Sequence, residues 1–291
     1  MKRWNGRWLE WIVVAGCVGF GLAILFPAAG LARGWGKLEV CMANVHILGR
    51  AWLAYAENND SQIVGSATYE ADGWQQHGYP AWAPSGSQIR VKNFVAMPQD
   101  QNGVYRNNLE IQDEYRGLRR GGLWPYIETE QVYHCPSDFR FTKSPASGGA
   151  GKGGYRSYSI GCPYNGYAVG EGWATGEYNY TVYRTTEIIN PEDKIVFLEE
   201  QDPDGWNVNT FDIFLTITNR WPGDPLAMEH NRRSQFGYAD GHVAVYAWKD
   251  PTNLFVFENH LKNSPAYLYG PNEGQDLAWF VQHYLPGPMR R

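Results

Sequence analysis

The stretch Trp11–Ala32 reads WIVVAGCVGFGLAILFPAAGLA and carries no charged side chain. As a helix, its 22 residues would rise about 33 Å, which is enough to cross a bilayer. Lys2, Arg3 and Arg7 precede it, and basic residues ahead of a membrane helix favour a cytoplasmic N-terminus. The stretch therefore predicts a membrane-spanning helix, with the rest of the chain on the far side of the membrane. A cleaved signal peptide has a shorter apolar region, so we expect this segment to be retained.

The helical pattern continues beyond the apolar stretch. Apolar residues recur every three or four positions on one face: Leu38, Cys41, Val45, Leu48, Trp52 and Tyr55. This spacing predicts an amphipathic helix whose apolar face packs against a core. The polar cluster at 57–60 favours a helix end, so we predict a single helix over 8–57. Pro27, Gly34 and Gly36 are its expected weak points, because proline and glycine loosen helical backbone.

The remaining sequence has a different character. The whole chain contains 33 glycines, 17 prolines, 19 tyrosines and 13 tryptophans, a mixture that favours strands and turns. The segment KIVFLE at 194–199 predicts a strand. We therefore predict an α+β fold in two parts, a hydrophobic and amphipathic helix over 1–60 and a globular β-rich head over 61–291. The net charge of −5 and the lack of a basic stripe argue against nucleic acid as a partner.

The strongest local signal is QFGYADGHVAVY at 235–246. Apolar residues alternate on both sides of Asp240 and Gly241, and an Asp-Gly pair favours a two-residue type I′ turn. Such a turn predicts an antiparallel hairpin in which Tyr238 lies opposite Val243.

The four cysteines fall into two groups. Cys17 and Cys41 lie in the predicted helix, whereas Cys135 and Cys162 lie in the head. Because we expect the head in an oxidising space, a disulfide between Cys135 and Cys162 is one prediction, and two buried thiols are the alternative.

The N-terminal helix resembles that of type IV pilins and pseudopilins. Glu10 stands before the apolar run, and Pro27 follows Glu10 by 17 residues. The continuation LEVCMANVHILGRAWLAYAENND at 38–60 resembles a further segment of prepilin-type proteins. The phrase LWPYIETEQVYHCPSD at 123–138 is similar to their LWPY…CP.D signature, and RSYSIG at 156–161 is similar to another of their segments.

A last motif adds to this resemblance. Nine residues separate His230 from the pair Asp240 and Gly241, which is the H-x9-DG pattern of processing-associated, pilin-like bacterial proteins. The resemblance implies a pilin-like fold, in which a long N-terminal helix packs on an antiparallel sheet with long loops. It also implies assembly, with the apolar helices of identical subunits, including Trp11 and Phe20, forming the core of a helical homopolymer.

Glu10 has two interpretations in this setting. It would meet a positive charge on a neighbouring subunit, or it would stay hydrated at the membrane interface, since an unpaired carboxylate is costly in a dry core. The resemblance implies unwinding near the proline of the helix on polymerisation. At the cleavage position, Asn5 and Gly6 depart from the prepilin pattern. We therefore expect an uncleaved subunit, in which Arg7, Arg3 or Lys2 replaces the free amine as the partner of Glu10.

Metal or acid/base chemistry is a secondary interpretation of the polar residues. A hairpin turn accounts for Asp240, and we expect His230 to hydrogen-bond a loop, with a metal site as the alternative. The acidic loop containing Asp202 and Asp204 is either a solvated turn or a Ca²⁺ site with oxygen ligands, and it lacks the full EF-hand spacing. We predict no other cofactor.

The sequence contains no GxSxG, HExxH, GxGxxG or Walker motif. We therefore predict a structural subunit of an extracellular filament or tube rather than an enzyme. It would lie in the inner membrane of a bacterial envelope before assembly and at the cell surface afterwards. The alternatives are a minor pseudopilin or membrane-anchored protein of a secretion or envelope system, and an anchored module that binds glycans through its tryptophan and tyrosine side chains.

Overall fold

The structure, a computed structural model, describes residues 7–68, 92–104, 110–142, 154–165, 181–200, 210–211, 213, 224, 226–228, 230–251, 253–254 and 274–287. Within the first helix, the side chains of residues 7–10, 21–22 and 24–33 lie outside this description.

Four helices and four strands have defined bounds in these residues. The helices are α1 (Arg7–Glu57), α2 (Ile111–Arg120), α3 (Trp124–Ile127) and α4 (Gln275–Tyr284). The strands are β1 (Tyr158–Ile160), β2 (Ile195–Glu199), β3 (Arg233–Tyr238) and β4 (Val243–Ala247). Short 3₁₀ segments lie at Glu130–Tyr133, Arg140–Thr142, Thr185–Glu187 and Pro191–Asp193.

The second half of α1 buries the apolar face that its residue spacing predicts. The buried positions on this face are Leu38, Cys41, Val45, Leu48, Trp52 and Tyr55. The helix also continues without a break through Pro27, Gly34 and Gly36, so these expected weak points do not interrupt it. Helical dihedrals are compatible with proline and glycine, and the loss of one backbone donor at Pro27 leaves the neighbouring turns in place.

The strands form one antiparallel sheet in the order β1–β2–β3–β4. Helices combined with an antiparallel sheet confirm the predicted α+β class, and β2 confirms the strand predicted at 194–199. Helix α1 covers one face of the sheet, where Val45 and Phe197 belong to the same core. Helix α4 contributes Phe280 to a second core with Phe236 of β3. The sheet therefore separates two apolar cores.

The hairpin of β3 and β4 is present, but its predicted type I′ turn is wrong. Val243 pairs with Gly237, not with Tyr238. The loop contains three residues, 239–241, in which the Gly241 amide donates to the Tyr238 carbonyl at 2.9 Å and Gly241 has a φ of +92°. A type I turn followed by a left-handed residue is the common three-residue hairpin loop. The one-residue shift turns Val243 toward the core beneath α1.

Gly237 controls how closely α1 approaches the sheet. A Cβ atom at this position would lie 2.7 Å from Cγ1 of Val45 and 3.3 Å from Cβ of Phe197. We predict that Gly237→Ala lowers the free energy of unfolding by about 1–3 kcal/mol, because the helix must move outward. Urea denaturation of the full chain followed by tryptophan fluorescence measures this change.

The matched control is Gly36→Ala, in helix α1. Apart from the neighbouring backbone of α1 itself, no described atom lies within 4 Å of a Cβ added there, so alanine should raise the free energy of unfolding by up to about 1 kcal/mol through its helix propensity. Equal effects from the two substitutions would contradict the close approach at Gly237.

Candidate functional site

Helix α1 divides into two parts with opposite environments. Every residue from 11 to 20 is exposed, with Trp11 at 67% and Phe20 at 70% of full exposure. The second half, by contrast, contributes its apolar face to the core of the head. A contiguous exposed apolar surface marks a site of association with a protein or a membrane. We call residues 11–20 the exposed helix segment.

The structure describes only part of the predicted membrane-spanning helix. No helix among the residues that the structure describes is long and apolar enough to cross a membrane. Eleven side chains of the predicted span 11–32, at 21–22 and 24–32, lie outside the described part.

Several predicted site residues lie outside the description as well. Arg3 is not described, and Arg7, Glu10 and Pro27 are described only as helical backbone. The calcium candidates Asp202 and Asp204 fall in the undescribed segment 201–209. Their predicted roles therefore stay predictions.

A buried cluster of four chemically reactive side chains lies between α1 and the sheet. Its members are Cys41 of α1, Cys135 after the 3₁₀ segment Glu130–Tyr133, Glu199 at the end of β2, and His230 ahead of β3. One ligand-type atom from each residue lies within 4.8 Å of all the others. We call this group the Cys41 cluster.

The distances within the Cys41 cluster are those of direct contact. The two sulfur atoms of Cys41 and Cys135 are 2.9 Å apart, and Nε2 of His230 lies 3.5 Å from the Cys135 sulfur. The same Nε2 lies 3.8 Å from Oε2 of Glu199. All four residues are at most 4% exposed. Two sulfur atoms, one imidazole nitrogen and one carboxyl oxygen therefore lie close together at a place that bulk water does not reach.

Local structure places each member of the cluster. Cys41 lies one helical turn before Val45 on the buried face of α1. The backbone amide of Cys135 donates to the Ser157 hydroxyl at 3.0 Å, which fixes the loop against β1. Glu199 pairs with Tyr158 across β1 and β2, so its side chain lies on the sheet face beneath α1.

Burial and mutual contact shift the pKa values in the cluster. The hydrogen bond with Cys135 lowers the pKa of Cys41 to about 6, against the opposing effect of burial. Burial raises the pKa of Cys135 well above its usual range, and it raises the pKa of Glu199 to about 8. Near neutral pH, these shifts favour a thiolate at Cys41, a thiol at Cys135 and a protonated carboxyl at Glu199.

Glu199 is incompletely satisfied by its protein neighbours. The side-chain amide of Gln235 donates to Oε2, whereas Oε1 is buried and has no hydrogen-bond partner among the described residues. A buried carboxyl oxygen without a partner costs about 1–3 kcal/mol. The cluster therefore carries a polar group that the protein does not fully stabilise.

The structure contains no disulfide between Cys135 and Cys162, so the predicted bond is wrong and the alternative of two buried thiols is the one observed. Cys135 lies beside Cys41, whereas the sulfur of Cys162 accepts from the Tyr284 hydroxyl at 3.3 Å. Cys162 belongs to the core beneath α4, and Cys135 to the core beneath α1. The sheet separates the two surroundings, which is why the thiols are not paired.

The H-x9-DG motif divides between two places. His230 is buried in the Cys41 cluster, whereas Asp240 is exposed at the hairpin tip. Oδ1 of Asp240 accepts from the His242 amide at 3.0 Å, a contact within the hairpin turn. The carbonyl of Gly241 lies 3.1 Å from Nδ1 of His46 on α1. The Asp-Gly end of the motif therefore docks the hairpin against the helix.

Sequence reasoning missed two members of the cluster. It treated Cys41 as a helix residue, and Glu199 as the end of a strand and the start of the acidic loop considered for Ca²⁺. A usable signal was the acidic residue closing the apolar run IVFL, because a strand buried throughout rarely ends in an unpaired charge.

A second buried polar group lies close by. Asp138 and Arg140 form an ion pair with Nη2 to Oδ2 at 2.6 Å, and both side chains are at most 3% exposed. The same Nη2 donates to the carbonyl oxygens of Arg156 and Glu200, both at 3.1 Å. This pair ties the loop after Cys135 to the ends of β1 and β2.

Comparison of the chain with protein-family models, curated proteins and solved structures gave no match.

Removal of one partner from the buried ion pair should be costly. Asp138→Asn leaves the Arg140 charge buried without its counter-ion, and we predict a loss of about 3–5 kcal/mol in the free energy of unfolding at neutral pH. The exposed pair of Arg119 and Glu130 is the control. Glu130→Gln should cost at most about 1 kcal/mol in the same urea denaturation. Similar losses from both substitutions would contradict the assigned role of Asp138.

The pH dependence follows from the same pair. Burial alone would raise the pKa of Asp138, but the charge and hydrogen bonds of Arg140 outweigh burial and hold the pKa below its usual value. The folded protein therefore binds this proton less readily than the unfolded chain, and the pair's contribution is lost as pH falls through the folded pKa. Acid denaturation of wild type and Asp138→Asn should show a steeper loss for wild type below about pH 4. Parallel curves would contradict this assignment.

Proposed function

We propose that the protein is a pilin-like structural subunit whose helices bundle into the core of an extracellular filament or tube, with the heads forming the outer wall. The observation that carries this proposal is the division of α1. Its second half is buried in its own head, whereas the exposed helix segment presents Trp11 and Phe20 to its surroundings.

The driving force would be burial of the exposed helix segment. Apolar surface left in water is unfavourable by roughly 25 cal/mol per Å², and a single large side chain contributes about 1.5–3 kcal/mol when fully covered. The head of the same subunit already packs on the second half of α1, so the cover has to come from outside. Before assembly that cover would be the inner membrane, and afterwards it would be the helices of neighbouring subunits.

The form of the assembly follows from the geometry of such an interface. Identical subunits can join through two different surfaces, so that each contact rotates one subunit relative to the next. When these rotations do not add up to a closed ring, the contact repeats without end. Repetition then produces an open helical polymer. Gly16 and Gly19 have no described atom within 4 Å of an added Cβ apart from the neighbouring backbone of α1, so they leave room for close contact between helices.

Glu10 and the basic N-terminus would set the register of neighbouring subunits. A carboxylate in the apolar core of a filament needs a positive partner. We propose Arg3 or Arg7 of an adjacent subunit as that partner, since the sequence at Asn5 and Gly6 does not match a prepilin cleavage site.

A charge in the exposed helix segment should abolish assembly. We predict that Phe20→Asp eliminates filaments in negative-stain electron microscopy of material shed from cells that express the chain. The physical reason is the cost of burying an unpaired carboxylate between apolar helices, several kcal/mol per subunit. The subunit should stay folded, because residue 20 makes no part of the head core.

Two variants serve as controls. Phe20→Leu keeps an apolar side chain and should retain filaments. Phe139→Asp places the same charge on an exposed ring of the head, which is 59% exposed, and should leave the helix core intact. Filaments of Phe20→Asp equal in number to wild type would contradict the proposal. Detection of wild type only as single copies in membrane fractions would favour an anchored or minor-subunit role.

A further inference from the structure

We propose that Cys41, Cys135, Glu199 and His230 bind one zinc ion, which fastens α1 to the head. The inference goes beyond assembly of the subunit, since it concerns how the long helix is held by its own domain. It rests on the convergence of four ligand atoms within 4.8 Å of one another in the buried core.

The ligand set fits zinc in its chemistry. Two cysteine sulfurs, a histidine nitrogen and a carboxylate oxygen are the ligands that zinc accepts in tetrahedral sites. Calcium and magnesium require oxygen ligands instead, and thiolates exclude them here. The two positive charges of zinc would offset most of the negative charge of two thiolates and a carboxylate. A bond from Oε1 of Glu199 to the ion would also give this buried oxygen the partner that it lacks among the described residues.

The four ligand atoms, which lie within 4.8 Å of one another, would have to shift by up to about 1 Å to reach the spacing of a tetrahedral zinc site. Bonds of about 2.0–2.3 Å in a tetrahedron place ligand atoms roughly 3.3–3.8 Å apart. The distances from His230 to Cys135 and to Glu199, 3.5 and 3.8 Å, fall in this interval. The sulfur atoms of Cys41 and Cys135, at 2.9 Å, would have to separate by about 0.8 Å. The side chains would make this change around a fixed backbone.

A disulfide between Cys41 and Cys135 is the competing arrangement. It would bring the two sulfur atoms from 2.9 Å to about 2.05 Å. It would leave Glu199 and His230 buried at the same point without a role. A metal ion uses all four side chains, so the observations favour zinc.

The site would be structural rather than catalytic. Four protein ligands close a tetrahedral shell and leave no position for a substrate. The ligands come from α1, the loop at 135, β2 and the segment ahead of β3, which are far apart in the chain. An ion that joins them would stabilise the folded state over the unfolded chain, because the site does not exist when these segments separate.

Metal content of the full chain is the direct test. The protein would be expressed without a histidine tag, purified in detergent with reduced thiols, dialysed against a mild chelator, and measured by inductively coupled plasma mass spectrometry. We expect one zinc ion per chain in wild type. Cys135→Ser should lose the ion, whereas Cys162→Ser, an equally buried cysteine outside the cluster, should retain it.

A second measurement keeps the test decisive if Cys135→Ser fails to fold. Wild type stripped with a strong chelator should melt at least about 10 °C lower than the zinc-bound protein, and added zinc should restore the original midpoint. Glu199→Gln should weaken zinc binding by at least about tenfold in competition with a chromophoric chelator.

Three results would overturn the proposal. The first is that wild type with reduced thiols binds far less than one zinc ion per chain. The second is that Cys135→Ser keeps as much zinc as Cys162→Ser. The third is that peptides of the protein isolated from its native location contain a Cys41–Cys135 disulfide.

Discussion

The contact of Val45 with Gly237 and Phe197 sets the distance between α1 and the sheet, and the remaining features of the head depend on it. A glycine in β3 lets the helix lie close enough for its apolar face to complete the core. One turn earlier, the same face brings Cys41 over the ends of β2 and β3, and one turn later it brings Gly49 to the hairpin tip at Gly241.

The core beneath α1 contains two sets of titratable groups, which differ in how completely their polar atoms are hydrogen-bonded. Asp138 and Arg140 pair with each other, and Arg140 also donates to two nearby carbonyl oxygens, so their burial is stabilised by complementary contacts. Glu199 has one oxygen without a hydrogen-bond partner, beside two thiols and an imidazole. A metal ion bound where the helix meets the sheet would give this oxygen a partner. Assembly and metal binding would then act on opposite halves of one helix.

Sequence periodicity was sufficient for the main features of the fold. The three- and four-residue spacing from Leu38 to Tyr55 identifies the buried face of α1, and the alternation around Asp240 identifies the hairpin. The turn type was not determined by periodicity, since an Asp-Gly pair fits both a two-residue loop and the end of a three-residue loop. That single residue decides which face Val243 occupies.

The buried cluster could not be derived from the sequence because its members have no characteristic spacing. Cys41, Cys135, Glu199 and His230 lie on four separate segments, and only the packing of α1 on the sheet brings them together. The same packing explains the wrong disulfide prediction. Two cysteines in the head, each followed by proline, suggested a pair, but the sheet places Cys135 and Cys162 in different cores.

Maleimide labelling of Cys17 in dispersed subunits and in assembled material reports whether the exposed helix segment is covered by assembly, because this cysteine lies in that segment and the other three are buried. We expect Cys17 to be labelled rapidly in dispersed subunits and to be protected in filaments, while Cys41, Cys135 and Cys162 stay unlabelled in both. Equal labelling of Cys17 in the two states would contradict an assembly core built from this half of the helix.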